Sequence, residues 1–191
     1  DSKARKSAQT VMFDSLVALV KMVSPVLSFT AEEMWAAMPA IARDADSVHL
    51  SSWYVENPEF INAELDSKWD KIIKLRKEVN KVLEKARQGE NRIIGNSLDA
   101  EVSLFIGNDE YKSLLADKEL LEMIFIISKL NIVETKDDSF TESEELKDIS
   151  IKVAHATGEK CERCWKYSEE LGTHEEHSTI CPRCTGVLVN N

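Results

Sequence analysis

The sequence predicts a multi-part α+β chain, with a helical-bundle region first, a small mixed α/β subdomain next and a small cysteine-bearing module last. Three observations point there. Apolar residues recur at helical spacing as far as Gln88, short strand-like runs begin at Glu101, and all four cysteines lie within the last 31 of 191 residues. The composition fits a folded chain of one or two domains, with 43% hydrophobic and 30% charged residues.

Residues 1–23 read as one helix. Met12, Leu16, Leu19 and Val23 form a stripe that Phe13, Val17 and Val20 widen, as suits a helix inside a bundle. Ser24-Pro25 should stop it, because proline disfavours helical geometry in the residue before it. A second helix is expected to open at Thr30, with Glu33 completing a capping box and Phe29 and Met34 forming a hydrophobic staple. Trp35 and Met38 extend its apolar face, Pro39 follows its end, and residues 40–61 form a connection of mixed polarity. The third helix is long, roughly Ala63 to Gln88, with Leu65, Trp69, Ile72, Val79, Leu83 and Ala86 as its stripe. Gly89 suits the left-handed residue beyond its end. Glu101–Ile106, Leu130–Val133 and Ile149–Ala154 read as strands, with short helical segments near 109–116 and 118–127. Residues 134–148 carry seven acids against two lysines, a pattern that predicts a solvated, mobile loop.

Net charge is −10, from 24 basic and 34 acidic residues, and the pI is near 5.0. That balance argues against indiscriminate nucleic-acid binding and leaves room for local basic patches. No apolar run approaches the roughly 20 residues that span a bilayer, and Asp1–Lys6 lacks the apolar core of a secretory signal. The absence of a starting Met and of any export signal leads to the expectation of a soluble, cytoplasmic piece of something longer.

Cys161-Glu-Arg-Cys164, sixteen intervening residues, then Cys181-Pro-Arg-Cys184 is the strongest signal in the chain. Each Cys-x-x-Cys can offer two thiolates from one tight turn, and two such turns close a tetrahedral four-sulfur site typical of structural zinc. A closed site has no open coordination position, so the expected Zn2+ is structural, one per chain, and contributes directly to folding about 30 residues with little core of their own. Competing readings are two disulfides, a Cys161–Cys164–His174–His177 ligand set, and iron in the same cage as in a rubredoxin-like redox module.

Two groups of cations are candidate RNA contacts. Lys74, Lys77, Lys81 and Lys85 share one side of the third helix, with a plain solvated face as the alternative. Around the cysteines, Lys160, Arg163, Lys166 and Arg183 accompany Trp165 and Tyr167, a combination of phosphate-binding charge and rings for unpaired bases. The alternative for Trp165 and Tyr167 is a miniature core over the metal knuckles. No carboxylate pair, Gly-rich phosphate loop or Ser-His-Asp pattern makes a case for catalysis, so no catalytic residue is assigned.

Ala4-Arg-Lys-Ser-Ala-Gln-Thr10, Ser24-Pro-Val-Leu-Ser-Phe-Thr-Ala-Glu-Glu-Met-Trp35 and Val48-His-Leu-Ser-Ser-Trp53 resemble the anticodon-binding helical domain of bacterial isoleucyl-tRNA synthetases. Gly158-Glu-Lys-Cys-Glu-Arg-Cys-Trp-Lys-Tyr167 with Ile180-Cys-Pro-Arg-Cys184 resembles that family's C-terminal zinc finger, to which the finger of formamidopyrimidine-DNA glycosylases is related. The resemblance implies three parts: residues 1–61 from the anticodon-binding domain, 62–156 as a long helix plus α+β subdomain, and 157–191 as the zinc module. It also implies a region that holds the anticodon stem-loop of the isoleucine tRNA while ATP-dependent aminoacylation happens elsewhere. The family's His-Ile-Gly-His and Lys-Met-Ser-Lys-Ser signatures are absent here, so ATP belongs only to the full-length enzyme. A monomer without a membrane partner is expected. The contrasting expectation is a repair-glycosylase type of DNA-binding finger, which the missing Pro-Glu start of that family disfavours.

Overall fold

Two helices closed by a single turn begin the chain in the computed structural model, which describes residues 2–90 and 92–189. The contacts divide the chain into two units, residues 1–61 and 62–191.

In the first unit, α1 (Lys3–Val23) starts at Ser2, whose side chain accepts the Arg5 amide. It ends before Pro25, although Ser24 itself remains helical. Proline acts here through its missing N–H rather than by displacing Ser24: the Ser24 hydroxyl donates to the Lys21 carbonyl at 2.9 Å, the acceptor that an amide at position 25 would have used. The Val26 and Leu27 amides fold back onto the Val23 carbonyl, so α2 (Ser28–Ala37) begins at once. The expected capping box at Thr30 therefore does not form: Thr30 lies inside the first turn and Phe29 is exposed. Glu32, one residue before the expected partner, instead accepts from the Ser47 hydroxyl and the Val48 amide.

The small core of this unit is Val20, Ala31, Trp35, Met38 and Val48, with Val17, Val23 and Ala42 against it. Trp35 is fully buried, and its indole N–H donates to the Ala45 carbonyl at 2.9 Å. Met12, Leu16 and Leu19 of the expected stripe are exposed, so the buried face of α1 is centred on Val20. Short 3-10 turns at Ala40–Ala42, Val48–Leu50 and Pro58–Phe60 carry the connection.

The second unit opens with α3 (Ala63–Arg87), capped by Asn62, whose side chain accepts the Leu65 amide. The chain is extended at Gln88, and Gly89 takes the left-handed conformation expected there, with φ +85°. Next come β1 (Ala100–Ile106), α4 (Asp109–Lys112), α5 (Lys118–Phe125), β2 (Lys129–Val133), β3 (Thr141–Glu142) and β4 (Ile149–His155). The sheet order is β2-β1-β4-β3, with β1 and β2 parallel and the other neighbours antiparallel. Residues Ala100, Val102, Leu104 and Ile106 point to the core and alternate with half-buried ones, so Phe105 lies on the opposite face. Ile72, Leu75, Val79 and Leu83 of α3, with Leu121 and Phe125 of α5, complete that core. Leu65 and Trp69 of the expected α3 stripe stay partly exposed.

Residues 134–148 differ from the solvated loop that their charge predicts. They contain β3 and lie along α3, where Glu78 is 2% exposed. The Glu78 carboxylate accepts from the Ser143 hydroxyl and from the Glu144 and Glu145 amides, and pairs with Lys81 at 2.7 Å. Burial alone would raise its pKa; the Lys81 ammonium and these donors outweigh that effect and bring it from 4.5 to about 2.

The last segment has a two-residue hairpin, β5 (Glu159–Lys160) with β6 (Tyr167–Ser168), and ends in α6 (Pro182–Val189). It is tied to the sheet. The Tyr167 amide donates to the Ser128 hydroxyl at 2.7 Å, the Ala156 amide to the Asp99 carbonyl, and the His155 and Tyr167 rings meet edge to face.

Candidate metal centre and nucleic-acid surface

The two cysteine pairs sit on different local structures. Cys161 and Cys164 flank a turn closed by the Trp165 amide donating to the Cys161 carbonyl, with Trp165 in the left-handed region at φ +64°. Cys181 and Cys184 bracket the first turn of α6, where Pro182 loses nothing by lacking an amide hydrogen. Only the first pair therefore uses the kind of turn expected of both.

All four sulfurs lie within 4.8 Å of one another, and Cys164 and Cys181 Sγ are 3.7 Å apart. Zinc–sulfur bonds of about 2.3 Å in a tetrahedron place sulfurs about 3.8 Å apart, so the cluster fits one Zn2+. Its electrostatics fit as well. Burial disfavours a charged Cys161, but the backbone N–H groups of Cys164, Cys181 and Arg163 prevail and draw its thiol down to about 6. Burial, reinforced by the neighbouring sulfurs, pushes Cys164 up to about 12. Four sulfurs gathered around one point suit a cation that prefers thiolate ligands. The cysteines form no disulfide, and His174 and His177 stack on each other outside the cluster.

The cations around this centre differ from those on α3. Lys77 pairs with Glu145 at 2.8 Å, Lys81 with Glu78, Glu144 and Glu145, and Lys85 with Glu144 at 3.7 Å. Three of the four α3 lysines are thus paired with acids of the 134–148 arm, and of the four only Lys74 has no carboxylate within 4.0 Å among the described residues. The sequence pattern hides the arm's role because its acids and their lysines stand about sixty positions or more apart; the opposite charge of the two segments is the available signal.

On the cysteine module, Arg163, Lys166 and Arg183 have no carboxylate within 4.0 Å among the described residues, while Lys160 reaches Asp99 at 3.9 Å. Trp165 is 59% exposed, with the Lys160 ammonium 5.9 Å from its ring centre. Trp165 therefore does not form the miniature core, which consists of the cysteines and Ile180, with Leu171 against them.

A helical segment joined to a sheet and ending in four clustered cysteines defines a class: a modular region with a terminal donor set suited to a structural metal. Residues 1–104 match the family described as "Anticodon-binding domain of tRNA ligase", and residues 158–185 match "Zinc finger found in FPG and IleRS". The chain belongs to the anticodon-binding family of tRNA ligases, with the zinc finger of the isoleucine type. It is 42% identical to isoleucine--tRNA ligase of Desulforamulus reducens, 41% to that of Kosmotoga olearia and 42% to that of Thermotoga petrophila. Each match covers 98% of this chain and 20% of the relative, so the chain spans about a fifth of the length of the curated relatives it matches.

Proposed function

We propose that this chain is the C-terminal, tRNA-binding region of an isoleucine--tRNA ligase, and that it holds the anticodon stem-loop of the isoleucine tRNA while other domains carry out ATP-dependent aminoacylation. The observation that carries this reading is the pairing of an exposed Trp165 with uncompensated cations, Arg163, Lys166 and Arg183, on the module that gathers the four cysteines. Cations of this kind bind phosphates and an exposed ring stacks on unpaired bases. Cys161, Cys164, Cys181 and Cys184 would hold one Zn2+ that braces this surface and takes no part in chemistry.

The contribution to catalysis is binding energy and orientation, supplied far from the reacting atoms. The proposed division is 1–61 for part of the anticodon-binding helical domain, 62–156 for the long helix and α+β subdomain, and 157–191 for the zinc module. Lys160, Arg163, Trp165, Lys166 and Arg183 would contact RNA. On α3, Lys74 is unpaired among the described residues, and Lys77, Lys81 and Lys85 would reach a phosphate by exchanging it for carboxylates of the acidic arm. The complete protein would work as a cytoplasmic monomer. No described helix is long and apolar enough to cross a membrane.

The test is Arg163→Glu with Arg183→Glu in the complete ligase. Charging of the isoleucine tRNA should slow at least tenfold, while isoleucine-dependent ATP–pyrophosphate exchange stays at the parent rate. Equal loss of both would refute the division of labour.

A further inference from the structure

Between α5 and the zinc module lies an open groove of 720 Å³, walled by Leu98, Leu120, Met123 and Ile126 on one side and by Lys166 and Arg183 on the other. We propose that this groove takes one unpaired nucleotide of a bound RNA, its base on the apolar wall and its phosphate on Lys166 and Arg183. The inference rests on the RNA-binding reading above and adds a base subsite outside the zinc module.

Three observations carry it. The first is charge: the two cations facing this groove, Lys166 and Arg183, have no carboxylate within 4.0 Å among the described residues. The α5 wall also contributes Glu119 and Glu122. Glu122 accepts from the Leu130 amide at 3.0 Å. The second is exposed apolar surface on this wall. Met123 is 63% and Ile126 50% exposed, while Leu121 and Phe125 on the same helix are buried in the core. The third is strain. Ile126 ends α5 with φ +58°, a conformation that a β-branched residue enters at a cost and that glycine or asparagine would take readily. Its amide closes the turn onto the Glu122 and Met123 carbonyls, so the turn needs this backbone, but the half-exposed side chain serves no core. The strained residue thus presents an apolar side chain to the groove, as strained positions at ligand sites do. The groove is of a size to admit a nucleotide and, being apolar on one wall and cationic on the other, matches the two ends of one.

The experiment uses the zinc-loaded chain with labelled methyl groups, titrated at low salt with a hairpin RNA bearing the anticodon loop of an isoleucine tRNA. A fully paired duplex of the same sequence is the control. The Met123 and Ile126 methyl signals should move with the hairpin and not with the duplex. Ile126→Gly should keep or raise the melting temperature, because it relieves strain, while weakening hairpin binding by roughly tenfold, the scale of one lost base contact. Shifts of the Trp165 indole without any at Met123 or Ile126 would overturn the groove and leave the RNA reading intact. Equal methyl shifts with the duplex would overturn the unpaired base. Methyl shifts caused by the rest of the ligase and not by RNA would reassign the groove to a protein contact. No shift anywhere on the zinc module would overturn both readings.

Discussion

Glu78 shows how much one side chain can organise. It is buried, accepts three hydrogen bonds from residues 143–145 and pairs with Lys81. Because its folded pKa of about 2 lies below the ordinary 4.5, its stabilisation is complete above about 4.5 and is lost as pH falls toward 2. Acid unfolding of residues 62–189, followed by tryptophan fluorescence and circular dichroism, should therefore sharpen in that window. Glu78→Gln should flatten the dependence and cost about 2 kcal/mol in urea unfolding, since Lys81 is partly exposed and recovers some hydration. Gly158 is the other decisive residue. With φ +91°, a Cβ there would stand 2.4 Å from the Ser168 backbone, so Gly158→Ala should disrupt the β5–β6 hairpin and weaken metal retention against a chelator by at least tenfold. The glycine could be read in the sequence; its reason could not, because Ser168 approaches only after the hairpin forms.

At the scale of elements, the zinc module and the acidic arm are stabilised differently. The module's buried cluster is little more than its cysteines and Ile180, so it depends on the metal. Cys181→Ser should release zinc and unfold residues 158–189, leaving the β1–β4 amides protected in hydrogen exchange; retention of full metal would show that Cys181 is no ligand. The arm rests on Glu78 and Leu146 and is less dependent on its outer ion pairs. Lys85→Ala, which removes an exposed pair at 3.7 Å, should change stability by under about 0.5 kcal/mol. The cysteine spacing was legible because ligand geometry is local. The arm was not: a run of seven acids looks like solvated loop until the lysines of a distant helix face it. The onset of α2 departs from the sequence pattern for a related reason: Thr30 and Glu33 satisfy the capping pattern, but the tight turn after Pro25 starts the helix earlier.

Across the whole molecule, each unit has its own core, so damage should stay local. Trp35→Ala should unfold residues 2–61, at a cost of about 4 kcal/mol from lost burial and the lost Ala45 bond, without reducing amide protection in the sheet. The overall charge of −10 and the cations of the zinc module should together make RNA binding weak and steeply salt-dependent. By itself the sequence determined the α+β class, the order of long helix and strands, the four-cysteine centre and the resemblance that the family matches bear out. These depend on periodicity and on spacings of a few residues, which survive in one dimension. Tertiary structure alone decided which lysines are free, that Trp165 stands exposed, which face of α1 is buried, and that Ile126 and Lys166 share a groove. Each is a relation between residues far apart in the chain. Charge and apolarity mark a residue as able to bind, but only its folded neighbours determine whether that capacity is already used.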